Sequence, residues 1–188
     1  MLSQTTTILN QTFQAEKDDI KPWTRDVVLK QLGVNYRGSP IVIDERTSGE
    51  VGRNPYSNDD GRICAGDRAP DAPGLIGISG EHIRLFNMFK PWLHTVLIFG
   101  NGLTPSVLRT LGRYPNKTIQ ALSIVLRGTP LNAATVTILE DQHRHAYTGY
   151  AVDKGCDTVI VVRPDGVIGA IVFGVEGLEQ YFDGIFSV

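Results

Sequence analysis

The pattern of apolar and polar positions divides the chain into two regions of different texture. Residues 1–19 are polar, rich in Thr and Gln and almost without periodicity, which predicts a loose or partner-dependent start. Trp23, Val27, Val28 and Leu32 then fall at helical spacing, with Pro22 in a first-turn position and Gly33 as a stop. That spacing predicts a helix over about 22–33. Tyr36-Arg37-Gly38-Ser39-Pro40 is turn-like, and Ile41–Ile43 is a short extended piece. Residues 44–62 carry Gly, Asn, Pro, Ser and Asp throughout and predict loop. Residues 1–62 are therefore expected to form an N-terminal arm, and residues 63–188 a compact domain.

From Cys64 onward, short apolar runs are divided by turn signals. His82–Phe86 and Thr95–Phe99 predict strands. Thr104 and Pro105 predict a helix start, with an N-cap hydroxyl followed by a first-turn proline, and the helix runs to about Arg113. Ile119–Leu126 and Val136–Leu139, rich in β-branched residues, predict two more strands. His145–Val152 has room for a short helix. Thr158–Val162 and Val167–Phe173 flank Pro164-Asp165-Gly166, whose fixed φ and glycine suit a hairpin turn. Gly177–Phe186 predicts a closing helix with Leu178, Tyr181, Phe182 and Ile185 on its apolar face. This order resembles the thioredoxin arrangement: an α/β fold with a central mixed sheet flanked by helices, preceded here by the helical arm.

Bulk composition narrows the function classes. Of the 188 residues, 41% are hydrophobic and 20% charged, with a net charge of -2, which suits a globular domain with a real core. No Lys/Arg cluster exceeds two residues, so nothing calls for nucleic acid or an anionic membrane. Apolar runs such as Thr95–Phe99 and Val159–Val162 are strand-sized, and the first residues lack a basic start and an apolar stretch. A cytoplasmic protein is expected. Its two cysteines, Cys64 and Cys156, lie far apart and outside any C-x-x-C pair, so they predict two reduced thiols. The sequons at Asn10 and Asn116 carry little weight without a secretory signal.

The most distinctive stretch is Ala65-Gly66-Asp67-Arg68-Ala69-Pro70-Asp71-Ala72. Together with Ile83–Phe86, His94–Phe99 and Val162-Arg163-Pro164-Asp165-Gly166, it resembles the C-terminal domain of the phenol and aromatic-polyketide hydroxylase group of flavin monooxygenases. Tyr36–Pro40 resembles the segment just upstream, at the end of that family's substrate domain. The resemblance runs from about Gln31 to the C-terminus and implies a thioredoxin-like fold and a homodimer. The parent enzymes begin with a dinucleotide-binding domain carrying G-x-G-x-x-G, which is missing here, and too little chain precedes Gln31 to build it. No FAD, and no other cofactor, is therefore expected. Mg²⁺ has no motif to support it, although Asp59-Asp60 is a paired carboxylate. Disulfide exchange fails separately. The segment that would carry the reactive pair, Phe99–Pro105, contains no sulfur. Its helix N-terminus could bind an anion or phenolate oxygen, or simply be capped.

Several side chains admit both a chemical and a structural role. His143 and His145, with Asp141, Tyr147 and Tyr150 nearby, suit metal ligation, acid–base work or a solvated turn. Asp67, Arg68 and Asp71 could form ion pairs, or Arg68 could face a ligand. Tyr36 and Arg37 could anchor the arm or meet a substrate, while His82 and His94 read as packing or surface residues. The favoured expectation is a free-standing, non-redox enzyme acting on a phenolic or polyketide small molecule. Its chemistry would be acid–base cyclisation, such as intramolecular hydroalkoxylation of a prenylated phenol, with Arg68, Tyr36, Arg37, Asp71, His143, His145 and Tyr150 as candidate catalytic groups. The alternative is a non-catalytic dimerisation or accessory module.

Overall fold

The computed structural model describes residues 34–47, 63–129 and 136–186. The expected helix at 22–33, most of the loop at 44–62 and the Asp59-Asp60 pair lie outside them. The described residues build one eight-stranded mixed sheet, in the order β1-β8-β7-β4-β5-β6-β2-β3. The strands are β1 (Ile43–Asp44), β2 (Leu75–Gly77), β3 (His82–Ile83), β4 (His94–Phe99), β5 (Ile119–Leu126), β6 (Thr137–Asp141), β7 (Thr158–Val162) and β8 (Ile168–Val172). Strands β4, β5 and β6 run parallel, whereas β7 pairs antiparallel with both β4 and β8. Four helices are described: α1 (Leu85–Met88), α2 (Thr104–Leu111), α3 (His145–Gly149) and α4 (Val175–Asp183).

The central strands are apolar almost throughout because both faces of the sheet are covered. Successive side chains on a strand point to opposite faces. Leu97 and Phe99 of β4 therefore join Leu122, Ile124, Ile160 and Ile171 under Tyr147 and Tyr150. Val96 and Ile98 join Val159, Val161 and Ala170 beneath Val107 of α2 and Leu178, Tyr181 and Phe182 of α4. The amphipathic pattern of the closing helix is thus satisfied on one face of the sheet. Ile185, expected on that face, lies beyond the end of α4 and is exposed.

Three elements differ from the sequence expectation. The strand expected over His82–Phe86 stops at Ile83, and the chain turns into α1. Two hydrogen bonds cause the turn: Leu85 N–H donates to Ala72 O, and Phe86 N–H donates to the Asp71 carboxylate at 3.0 Å. Thr104 is not the N-cap of α2. Leu103 is, in helical conformation, and Thr104 is buried in the first turn. β2 had no strand signal in the sequence; pairing with β6 and β3 makes it one.

Residues 36–47, expected as part of the arm, pack onto the domain, and Ile43–Asp44 joins the sheet. Ile43 and Asp44 pair in parallel with Ala170 and Ile171, and Tyr36 N–H donates to Gly66 O at 2.7 Å. The described residues from Asn35 onward form one compact unit.

Candidate functional site

The distinctive segment Cys64–Gly74 runs past two groups of candidate side chains. Its first half is clamped to residues 35–46 by one ion pair and by backbone hydrogen bonds to a second, local pair. Arg37 makes a two-pronged contact with Asp67, Nε to Oδ1 and a terminal nitrogen to Oδ2, each 2.7 Å. The same Oδ2 accepts the Cys64 N–H at 2.8 Å. Arg46 pairs with Asp44 and also donates to Ile63 O and Tyr150 O, while Asp44 accepts the Ala65 N–H. All four charged side chains are nearly enclosed. Charges removed from water need such multiple partners, and a planar guanidinium supplies them in one plane. Burial pushes the neighbouring Cys64 thiol up from its ordinary pKa, which makes it a poor nucleophile. Tyr36 and Arg68 lie exposed beside this clamp, with Arg68 bridged by its backbone to Val167.

The second half, Pro70–Gly74, gathers the rest. Asp71 binds Arg84 and accepts the Phe86 N–H. Partial burial works to raise its pKa, but the Phe86 N–H and the Arg84 guanidinium outweigh it and hold the carboxyl below its usual range. Tyr150 is wholly buried and donates its hydroxyl to Pro70 O at 2.9 Å. Burial, with the Asp71 charge adding to it, raises its pKa, so it remains a phenol. His145 Nδ1 lies 2.8 Å from Pro73 O, an obligate acceptor, so that nitrogen carries the proton. The exposed rings of His143 and His145 are 5.7 Å apart beside Gly74.

Asp141, at the end of β6, organises this region. It is 1% exposed, and its two oxygens accept the N–H groups of His145, Ala146 and Tyr147 at 3.0, 2.9 and 3.1 Å. These are the free donors that any helix start leaves over. Asp141 lies three residues before the N-cap Arg144, outside the usual cap position, so its role was not readable from the sequence. Arg84 gave no signal, because its partner Asp71 lies 13 residues away.

The structure thus brings Asp71, His143, His145 and Tyr150 to one segment, and Arg37, Tyr36 and Arg68 to the turn before it. Arg37, Asp71 and Tyr150 are engaged with neighbouring protein groups. The two histidines, Tyr36 and Arg68 face solvent. A groove of about 310 Å³, between Leu108, Leu111, Ile119, Ala121 and Val136, is lined by none of the seven. Among the described residues, no group of three or more His, Cys, Asp or Glu side chains is placed to hold a metal ion.

The corner where disulfide chemistry would occur is filled. Between β4 and α2, Gly100 and Gly102 face Asp157, which precedes β7, and the Gly102 N–H donates to Asp157 Oδ1 at 3.3 Å. Beside it, Tyr147 donates its hydroxyl to Ile124 O. The helix start suggested as an anion site is therefore approached by the chain's own carboxylate.

Comparison with known proteins agrees with this architecture. The thioredoxin domain of a thiol-disulfide oxidoreductase from Bacteroides vulgatus superimposes with a TM-score of 0.52 at 17% identity, over 65% of this chain and 98% of that one. A domain of "possible thiol-disulfide isomerase" from Cytophaga hutchinsonii gives 0.53 at 16% identity, over 67% and 95%. At these identities the likeness is one of fold. No curated protein matches in sequence. No helix among the described residues is long and apolar enough to cross a membrane. Residues 132–188, from β6 through α4, match the family model described as the phenol hydroxylase C-terminal dimerisation domain. The fold is thus thioredoxin-like, and residues 132–188 of the chain are similar to the phenol hydroxylase C-terminal dimerisation domain.

Proposed function

We propose that this chain works as an association module, pairing with a second copy of itself, and performs no disulfide exchange. The observation that carries the reading is the match of residues 132–188 to a dimerisation domain. The engaged state of Arg37, Asp71 and Tyr150 supports it, since groups that hold the protein's own backbone and charges are not free to act on a substrate. The reading includes no flavin. Light scattering on the purified chain across a wide concentration range tests it. Twice the chain mass is expected, and a strict monomer at every concentration overturns it, as would tightly held flavin visible in the absorption spectrum.

A second reading, acid–base cyclisation of a phenolic or polyketide substrate, draws on the exposed His143–His145 pair. With its Nδ1 proton turned to Pro73 O, His145 presents Nε2 as a base able to take a phenol proton. An acid across the substrate would return a proton to the prenyl alkene as the C–O bond forms. Incubation with prenylated phenols distinguishes the readings. A product of unchanged mass, lost in a His143→Ala/His145→Ala variant, would favour cyclisation.

A further inference from the structure

The seat of the C-terminal helix contains a titratable ring. His94, at the start of β4, is surrounded by Tyr181, Phe182 and Phe186, with centroids 6.1, 5.7 and 5.9 Å away at steep interplanar angles. Its backbone is fixed by pairing with Ile119 and by an N–H bond to Thr118 O, so the half-buried ring has little freedom to withdraw. The same seat holds an unusual hydroxyl. Tyr181 is 2% exposed, and among the described residues its OH has no hydrogen-bond partner, whereas buried hydroxyls nearly always find one. The oxygen lies over Gly169 of β8, where an added Cβ would stand 2.2 Å from it.

The charged and titratable groups around His94 come from two elements. Arg163 and Asp165, paired with each other at 2.7 Å, face it from the β7–β8 turn, and α4 contributes the Tyr181 phenol. The paired strand residue, Ile119, carries no charge. Burial and Arg163 disfavour the imidazolium, with Asp165 opposing them, and the His94 pKa is lowered. Ring centroids near 6 Å are at the outer limit of cation–π attraction and replace little of the lost hydration.

We propose that His94 is an acid-sensitive latch for the C-terminal helix: the neutral imidazole packs as one more aromatic ring and holds Tyr181, Phe182 and Phe186, and the imidazolium lets them go. α4 is also tied to the turn after α2, by Arg113 to Glu179 and by the Tyr114 hydroxyl to Asp183. Release is therefore local, beginning where the Tyr181 hydroxyl has no hydrogen-bond partner among the described residues.

Amide hydrogen exchange on the full chain at pH 7.5 and 5.5, corrected for intrinsic rates, tests the latch. Peptides covering 175–186 should exchange severalfold faster at pH 5.5, while those from β4 and β5 do not. In His94→Phe the acid response of 175–186 should vanish. A uniform acid response along the chain, no response in 175–186, or an unchanged response in His94→Phe overturns the proposal. Should that variant fail to fold, the regional pattern in the native chain and in His94→Leu decides by the same criteria.

Discussion

Asp157 holds its carboxylate where a side chain on Gly100 would have to stand: a Cβ there would meet Oδ1 at 2.1 Å. Gly100 also has φ +87, a left-handed value that L side chains adopt at a cost. Gly100→Ala should lower stability by at least roughly 1–2 kcal/mol, the backbone share of that cost. Removing the carboxylate as well should relieve the steric share. Urea unfolding of Gly100→Ala, Asp157→Ala and the double variant checks this, with a double-variant loss smaller than the sum of the singles expected.

The Arg37–Asp67 pair makes a larger prediction. Deleting one partner of a buried pair strands the other charge, at a cost of about 3–5 kcal/mol. Asp67→Ala should lose that much and should also remove the Oδ2 acceptor of the Cys64 N–H. Arg37→Lys should restore little, because an ammonium cannot reproduce the parallel contacts. Equilibrium denaturation midpoints at pH 7 measure both.

Asp141 predicts a local defect. Asp141→Ala removes the acceptor for three helix-start N–H groups, and about 1–2 kcal/mol of stability should go with it. Asn keeps one acceptor oxygen and should lose less. The amides of His145, Ala146 and Tyr147 should exchange faster in the Ala variant, which two-dimensional NMR reads directly.

Asp71 predicts a pH dependence. Its folded pKa lies below the ordinary carboxylate value, so the folded state favours the ionised form. The associated stability is fully present above the unfolded pKa of about 4 and is lost as pH falls through the lower folded value. Asp71→Asn should therefore be less stable than the native chain at pH 7, and the gap should narrow towards pH 3. Melting temperatures at pH 7, 4 and 3 check the sign. A gap that widens on acidification would contradict it.

The sequence alone determined the central framework. The runs forming β4, β5, β7 and β8 are apolar, β-branched and bounded by turn signals, so their strand character follows from local preference and burial together. Pro164-Asp165-Gly166 marked the hairpin, and Leu178, Tyr181 and Phe182 marked the buried face of α4. The lack of sulfur in Phe99–Pro105 was equally plain.

Tertiary structure decided the fate of the polar side chains. Arg37 meets a carboxylate 30 residues away, Tyr150 a carbonyl 80 residues away and Gly102 a carboxylate 55 residues away. No periodicity encodes such partners, so side chains that looked available for chemistry could be listed by type but not judged free or engaged. The same holds for Leu85 and Phe86, which local pattern extends as strand until Ala72 and Asp71 take their amides. Apolar burial repeats along a chain and can be read from it. A hydrogen bond between distant segments depends on where the folded backbone brings two atoms together.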